Sequence, residues 1–271
     1  MTMNRVVLNI ALCFTILNLL SACNNIEYSP NQRFDRDSPQ NLNAKNLKRL
    51  LEAPADDTIR FVLSGDSQRE YISSEKFVRT VNGLKGIDFV VLAGDISDFG
   101  LLREMEWVNE IFSKLNVPYI GVIGNHDLVA NGERVFKRMF GELNFSFVYQ
   151  GVKFVCHNTN SREVAFNGSV PDMPWLKGQM APQEGVNAYI TVAHVPPENG
   201  DFDNALAEEY INVINGSPNT LAALFAHTHS HYIFHPGAGD IPYIVTNALE
   251  NREFVLVEII NGKLTYENIQ Y

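Results

Sequence analysis

Three near-continuous apolar runs in the first half of the chain constrain its fold more than any other feature. The runs cover residues 58–63, 87–93 and 117–123, and each is followed by a glycine and polar residues. The segments between them, residues 69–83 and 101–115, have helical patterns. Apolar strands that alternate with helices are typical of a parallel sheet buried on both faces. The functional site of such a sheet lies at the carboxyl ends of its strands.

The second half of the chain is richer in predicted strands. The first two of these strands predict a hairpin around a Gln150-Gly151 turn. The whole pattern predicts an α/β fold, a four-layer α/β/β/α sandwich of two mixed sheets with flanking helices. The predicted strands of the second half cover residues 145–149, 152–157, 186–193, 220–226, 241–246, 254–260 and 263–269.

Polar side chains with metal-binding chemistry follow the predicted strands. Asp66, Asp95 and Asn125 follow one another at intervals of 29 and 30 residues, about one βαβ repeat each. Carboxylates, imidazoles and an amide oxygen suit divalent ions such as zinc, manganese or iron. The set is too large for one tetrahedral site, and one carboxylate can bridge two ions. Its members are Asp66, Gln68, Asp95, Asp98, Asn125, His126, Asp127, His194, His227, His229 and His231.

Five short motifs, taken in their order along the chain, resemble those of the calcineurin-like metallophosphoesterases. The family pattern is D-x-H, G-D-x-x-D, G-N-H-D/E, an isolated histidine and G-H-x-H. The resemblance spans residues 58 to about 232 and implies metal-dependent hydrolysis of phosphomonoesters or phosphodiesters. The matching motifs are Asp66-x-Gln68, Gly94-Asp95-x-x-Asp98, Gly124-Asn125-His126-Asp127, His194 and Ala226-His227-x-His229.

The resemblance also implies a role for each matching residue and a cofactor of two divalent ions, with manganese, zinc and iron as the candidates. His126 would contact the substrate as a phosphoryl ligand or a general acid, and Asp127 would orient its ring. The implied metal ligands are Asp95 as the bridge, Asp66, Gln68 and His229 for the first ion, and Asn125, His194 and His227 for the second.

Two residues depart from the family pattern. Gln68 replaces the first histidine of the pattern, and Ala226 replaces the glycine before the last motif. An amide oxygen is a weaker ligand than an imidazole for zinc or iron, so we expect the first ion to bind more weakly or to be a harder ion such as manganese. The alternative hypothesis is a catalytically weak or inactive member of the fold that acts as a binding or scaffold lipoprotein because Gln68 has cost it one ion.

Several other residues are interpreted as structural, some of them with a functional role as the alternative. Asp98 is interpreted as the N-cap of the following helix or as support for a metal ligand, with direct ligation of a metal as the alternative. His231 is interpreted as a structural residue, with a substrate contact as the alternative reading. His157 and His235 are predicted to be structural, and Cys156 lies in an alternating strand pattern that predicts a core thiol.

The charge balance argues against nonspecific nucleic-acid binding. The chain has 21 lysines and arginines against 31 aspartates and glutamates, which gives a net charge of −10. An acidic surface repels the phosphates of DNA or RNA. Bound metal ions can still reverse the local field for a small substrate, so the expected partner is a phosphate ester.

The first 57 residues predict export and attachment to a membrane. Residues 6–20 form a mostly apolar signal-peptide core that ends in Leu20-Ser21-Ala22-Cys23, which resembles a bacterial lipobox. Acyl chains on Cys23 would hold the protein at a membrane. Because Asn24 and not aspartate follows the cysteine, we expect the outer membrane of a Gram-negative bacterium. The predicted organisation is a lipoprotein signal peptide at 1–22, a lipidated polar tether at 23–57 with one short helix near 42–51, and a metallophosphoesterase domain at 58–271.

Overall fold

The computed structural model describes residues 33–54, 56–237 and 239–271. The predicted signal peptide, residues 1–22, and the lipidation site Cys23 lie outside these ranges. None of the helices within the described ranges is long and apolar enough to cross a membrane. The helices are α1 Leu42–Glu52, α2 Tyr71–Gly83, α3 Leu102–Phe112, α4 Gly132–Met139, α5 Met173–Met180 and α6 Asn204–Gly216.

The strands form two mixed sheets. The first sheet has the order β11-β10-β1-β2-β3, in which β1, β2 and β3 are parallel and β10 is antiparallel to both of its neighbours. The second has the order β4-β5-β6-β7-β9-β8, in which only the edge strands β4 and β8 pair antiparallel. The strands are β1 Thr58–Ser64, β2 Phe89–Ala93, β3 Tyr119–Val122, β4 Phe145–Tyr149, β5 Val152–Cys156, β6 Ala188–Val192, β7 Thr220–Phe225, β8 Tyr232–Phe234, β9 Tyr243–Val245, β10 Glu253–Ile260 and β11 Lys263–Gln270.

Burial on both faces explains why the parallel strands read as continuous apolar runs. In β1, Phe61 and Leu63 face the second sheet, whereas Val62 faces α2 and α3. The rings of Phe61 and Phe154 meet edge to face, with centroids 5.5 Å apart, and so join the two sheets at their centre. A third apolar cluster packs α5 and α6 against the outer face of the second sheet. The predicted α/β/β/α sandwich is therefore confirmed.

Helix α1 packs against the edge of the first sheet, beside β3. The Asn43 side chain donates to the Gly121 carbonyl and accepts from the Gly121 amide, both at 2.8 Å. Leu50 is buried in the core between the sheets. The helix that we predicted near residues 42–51 therefore forms, but it is part of the folded unit. The folded unit thus begins before residue 58, because α1 satisfies backbone groups that an exposed edge strand would leave unpaired.

Candidate metal centre

The parallel strands of both sheets bring polar residues to one edge of the sandwich. Asp66 follows β1, Asp95 follows β2, and His194 follows β6. The Asp66 amide donates to the Gly94 carbonyl at 3.0 Å, which ties the first two strand ends together. The two sheets are joined at the same place, because Asp66 Oδ2 accepts a 3.0 Å hydrogen bond from the His227 amide.

Two glycines allow the loops that follow the strands to pack directly against each other. A Cβ atom on Gly94 would overlap the ring of His194, and one on Gly124 would overlap the backbone nitrogen of Asp95. Gly94 also has a φ angle of 94°, which side chains disfavour. Any larger residue at these positions would therefore push the strand ends apart.

Four of the predicted ligands adopt left-handed backbone conformations. Their φ angles are 51° at Asp66, 53° at Asp95, 75° at His227 and 51° at His229. Residues other than glycine rarely adopt such angles, and the strain costs on the order of 1–3 kcal/mol for each residue. Backbone strain of this kind concentrates at functional sites, because it aims side chains where the regular strand would not.

Asp95 lies at the centre of the cluster. Its Oδ2 atom is 3.2 Å from His194 Nε2 and 3.5 Å from Gln68 Nε2, while Oδ1 accepts a 2.9 Å hydrogen bond from the His126 amide. Asp95, His194 and His227 can each offer one ligand atom, and these three atoms lie within 4.8 Å of one another. The carboxylate of Asp95 therefore contacts residues from both predicted ligand groups.

The second predicted ligand group converges on the amide oxygen of Asn125. This oxygen is 3.1 Å from His194 Nε2 and 3.0 Å from His227 Nδ1. His194 is fully buried, and the side chain of His227 is 14% exposed. One amide oxygen and two imidazole nitrogens at this spacing can hold one divalent ion together with Asp95.

The first predicted ligand group contains two buried oxygens that make no hydrogen bond within the described chain. These are Asp66 Oδ1 and Gln68 Oε1. His229 Nε2 lies 3.4 Å from Asp66 Oδ1. Buried oxygens without partners are costly unless they bind a cation, so the donor set fits a second divalent ion.

Each histidine that we predict as a ligand has an acceptor on its outward side. His194 Nδ1 contacts the Ala93 carbonyl at 2.7 Å, and His227 Nε2 lies 3.2 Å from Asp201 Oδ2. His229 Nδ1 is 2.9 Å from Glu250 Oε1. An acceptor on one ring nitrogen places the proton there and leaves the other nitrogen free to bind a metal. The nitrogens that face inward are therefore Nε2 of His194, Nδ1 of His227 and Nε2 of His229.

The carboxylates of the cluster stabilise positive charge on the neighbouring side chains. Burial by itself would lower the pKa of His194, but the adjacent Asp95 carboxylate outweighs burial and raises that pKa to about 9. The neighbouring Asp66 carboxylate raises the pKa of His229 to about 9. Burial and the neighbouring His194 together lower the pKa of His227 to about 4. The raised pKa values of His194 and His229 indicate that the site favours cations.

Comparison with known proteins identifies the family. The sequence profile of the calcineurin-like phosphoesterases matches residues 59–231. The chain belongs to the calcineurin-like phosphoesterase family. No curated protein sequence matches the chain.

Solved structures share the fold of this family member at low sequence identity. A dimetal phosphatase from Danio rerio is 12% identical, with a TM-score of 0.61 over 78% of this chain and 97% of that one. Purple acid phosphatase PPD1 from yellow lupin is 12% identical, with a TM-score of 0.62 over 80% of this chain and 53% of that one. GAP50, the anchor in the inner membrane complex of Plasmodium, is 12% identical, with a TM-score of 0.59 over 79% and 84%.

The structure gives Asp127 a different place from the one predicted. We expected Asp127 to orient the His126 ring. Instead, its carboxylate accepts hydrogen bonds from the amides of Ile96, Ser97 and Gly124 and from the Ser97 hydroxyl, at 2.7–3.2 Å. Burial and the Asp95 charge raise its pKa to about 6. Asp127 therefore locks two ligand-bearing loops together, and its interaction with His126 was predicted wrongly.

Asp98 takes the position next to His126. The Nδ1 atom of His126 lies 2.9 Å from the Asp98 carbonyl and 3.4 Å from its Oδ1. Asp98 does not cap α3, since that helix has Leu101 at its N-cap and Glu104 accepts from the Leu101 amide. The N-cap interpretation of Asp98 was wrong, whereas its support of a site residue agrees with the observed contacts.

The remaining histidines make structural contacts or lie at the surface. His231 Nδ1 contacts the Val245 carbonyl at 2.7 Å, and His231 is not among the residues that line the cleft beside His126 and His229. His157 is buried, its Nε2 lies 2.8 Å from the Tyr210 hydroxyl, and burial lowers its pKa to about 4. His235 is exposed.

Cys156 is a buried free thiol whose pKa burial raises.

Sequence reasoning missed Asp201 and Glu250, which hold the outward nitrogens of His227 and His229. Both residues lie outside the family motifs, 26 and 21 residues from their partners. Their sequence neighbourhoods carry no strand-end pattern, so no signal in the sequence distinguishes them from surface carboxylates.

We expect Asp201→Ala to weaken binding of the second ion by about 10- to 100-fold, because loss of the carboxylate frees the His227 ring and its tautomer. Calorimetric titration of the metal-free protein with zinc measures the effect. The matched control is Asp203→Ala, since Asp203 is also buried but caps α6 by accepting from the Ala205 amide at 3.0 Å. Unchanged zinc affinity in Asp201→Ala would contradict the positioning role.

Proposed function

We propose that this chain hydrolyses phosphomonoesters or phosphodiesters at a centre of two divalent ions. The observation that carries the proposal is that the predicted ligands contact one another at one edge of the sandwich, with His126 beside them on a cleft. The proposed ligands are Asp66, Gln68, Asp95, Asn125, His194, His227 and His229. Two bound ions would supply an activated hydroxide and would neutralise charge on the phosphoryl group.

The protein side chains would bind and orient the substrate and move one proton. His126 is 38% exposed, so its ring can reach a ligand in the cleft. Its Nδ1 atom faces the Asp98 carbonyl, which leaves Nε2 to donate a hydrogen bond to a phosphoryl oxygen or a proton to the leaving alkoxide. Asp127 would keep the loops of Asp95 and His126 in register through its four hydrogen bonds.

Hydrolysis assays under defined metals test the proposal. Purified protein would be freed of metal, loaded with manganese, zinc or iron, and assayed with 4-nitrophenyl phosphate and bis(4-nitrophenyl) phosphate. We expect metal-dependent turnover of at least one ester. Protein that binds metal but hydrolyses neither ester would favour the scaffold alternative, for which the specific observation is Gln68 in place of histidine.

Gln68→His tests the ligand assignment at the first ion. We expect the variant to bind zinc at least about tenfold more tightly and to shift its preference from manganese towards zinc, because an imidazole nitrogen is the better ligand for zinc. Competition with a chromogenic chelator measures both affinities. Gln40→His, at an exposed position before α1, is the control for adding a histidine. Equal zinc affinity in Gln68→His and wild type would refute the assignment.

The proposed location is the cell envelope, with a lipid anchor at Cys23 and the outer membrane of a Gram-negative bacterium as the destination. The apolar residues 6–20 and the Leu20-Ser21-Ala22-Cys23 sequence support this proposal. Mass spectrometry of the amino terminus tests it. We expect a mature chain that begins at an acylated Cys23, and Cys23→Ser should abolish both acylation and recovery in the membrane fraction.

A further inference from the structure

Arg69 follows Gln68 on the loop that carries the first predicted ligand group. This loop is fixed to the Asp95 loop, because the amides of Ser67 and Gln68 both donate to the Asp95 carbonyl at 3.0 Å. Arg69 itself has a φ angle of 64°, a conformation that costs energy for any residue except glycine. A strained backbone on a rigid loop therefore sets the direction in which this arginine leaves the chain.

The guanidinium of Arg69 is held beside the general-acid candidate. Its Nη2 atom lies 2.5 Å from Oδ1 of Asp98, whose side chain is 6% exposed. The Cζ atom of the guanidinium also lies over the ring of Phe99, 5.8 Å from the ring centroid. Asp98 in turn contacts His126 through its backbone carbonyl. One residue, Asp98, thus contacts both side chains, Arg69 through its carboxylate and His126 through its carbonyl.

Arg69 opens onto the cleft that would receive the substrate. The cleft has a volume of about 350 Å³ and is lined by Arg69 together with Gln68, His126 and His229. The side chain of Arg69 is 67% exposed. A guanidinium has five N–H donors in a planar fork, and the bond to Asp98 uses only part of them. The remaining donors can bind a ligand in the cleft.

The cleft is lined mainly by acidic side chains, so the positive charge of Arg69 affects how well an anionic substrate binds. The described lining residues include four carboxylates, those of Asp66, Glu70, Asp98 and Glu250, and their one arginine or lysine is Arg69. Even with two divalent ions bound, a substrate anion meets these carboxylates and a chain of net charge −10. A fixed guanidinium offsets that repulsion most for the anion with the larger charge.

We propose that Arg69 forms a subsite for the nonbridging oxygens of a terminal phosphate and makes the protein prefer phosphomonoesters to phosphodiesters. The inference rests on the proposed function and names its substrate class. A monoester dianion carries two charges and three nonbridging oxygens, so the guanidinium can pair with two of them while the third remains available. A diester carries one charge and two nonbridging oxygens, and therefore gains less from Arg69.

Arg69→Gln measures the preference directly. With manganese saturating, we expect kcat/KM for 4-nitrophenyl phosphate to fall about 10- to 100-fold, since charge-assisted hydrogen bonds are among the strongest that a protein offers. The value for bis(4-nitrophenyl) phosphate should change by less than about threefold. The matched control is Arg103→Gln, because Arg103 also pairs with a carboxylate, Glu106, and lies over a ring, that of Trp107, but does not line the cleft. Equal losses for both esters, or none for either, would overturn the subsite.

Binding of inorganic phosphate gives a readout that does not need turnover. Calorimetry on the manganese-loaded protein should give an affinity about tenfold or more weaker in Arg69→Gln and unchanged in Arg103→Gln, with thermal melting as the check on folding. If wild type binds phosphate but hydrolyses neither ester, the proposed function fails while this comparison still judges the subsite. Equal phosphate affinity in Arg69→Gln and wild type would refute the subsite even in an active enzyme.

Discussion

Asp95→Asn will lower kcat/KM by about a thousandfold or more and will abolish tight binding of at least one metal ion. Asp95 is the carboxylate that contacts both predicted ligand groups, through His194 on one side and Gln68 on the other. An asparagine keeps the shape but loses the negative charge, so it would hold two cations much more weakly. Metal ions supply several kcal/mol of transition-state stabilisation, and about 4 kcal/mol corresponds to about a thousandfold in rate. Steady-state assays and metal analysis of the same preparation measure both effects.

The matched control for this substitution is Asp88→Asn at the opposite end of β2. The Asp88 carboxylate is also partly buried, and it accepts from the Arg60 amide at 2.7 Å and from the Tyr149 hydroxyl at 3.1 Å. The control changes the charge equally, but its effect should fall on stability and leave kcat/KM within about threefold. An Asp95→Asn protein that retains two ions and wild-type turnover would contradict the bridging role.

His126→Ala will lower kcat by about 100- to 10,000-fold for esters with poor leaving groups while the protein keeps its metal ions. The reason is that an alkoxide of high pKa needs a proton as it leaves, whereas 4-nitrophenolate does not. We therefore expect a much larger loss for phenyl phosphate than for 4-nitrophenyl phosphate. Rates for a series of aryl phosphates, with metal content measured in parallel, give the comparison.

His231→Ala serves as the control for removing a histidine near the site. His231 holds the Val245 carbonyl of β9 and does not line the cleft, so its removal should affect thermal stability and leave the leaving-group dependence unchanged. A loss in His126→Ala that is equal for all leaving groups would assign His126 to phosphoryl binding. Wild-type activity in His126→Ala would remove it from the mechanism altogether.

The strand ends could be predicted from the sequence because two local signals coincide there. Each apolar run ends in glycine and then in a carboxylate, amide or histidine, and parallel strands bring such ends to one edge. The second sheet follows the same logic, with His194 after β6 and His227 after β7. Pairing between β1 and β10 also fits the predicted terminal strands, since residues 254–260 carry a strand pattern of their own.

The contacts that orient the ligands could not be predicted, because they depend on where loops meet in space. Asp127 follows His126 directly, yet its carboxylate turns to the loop of Ile96 and Ser97. Asp201 reaches His227 from a loop between β6 and α6. Because Asp127 is adjacent to His126 in the sequence, His126 was predicted as its partner, which was wrong. The sequence suggested no partner for Asp201.

The extent of the folded unit was also misjudged, and two helices, α4 and α6, had no predicted counterpart. Polarity and prolines in residues 23–57 predict a tether, but the paired hydrogen bonds of Asn43 with Gly121 bring α1 onto the sheet edge. Helix α6 begins at Asn204, in a region that the sequence pattern left without an element. Its cap is the Asp203 side chain, and Tyr210 and Ile214 are its fully buried residues. Leu206, Ala207 and Val213 pack against the same cluster, so the helical spacing was present in the sequence but was not used to predict the helix.

Electron paramagnetic resonance during a manganese titration of the metal-free protein tests the central claim most directly. The set of seven predicted ligands, with Asp95 in contact with both groups, predicts two manganese ions per chain and an exchange-coupled spectrum that would arise if the ions share one carboxylate. In Asp95→Asn the coupled spectrum should disappear, and in Asp88→Asn it should remain. Binding of a single ion per wild-type chain, or of two ions without coupling, would contradict a dinuclear centre.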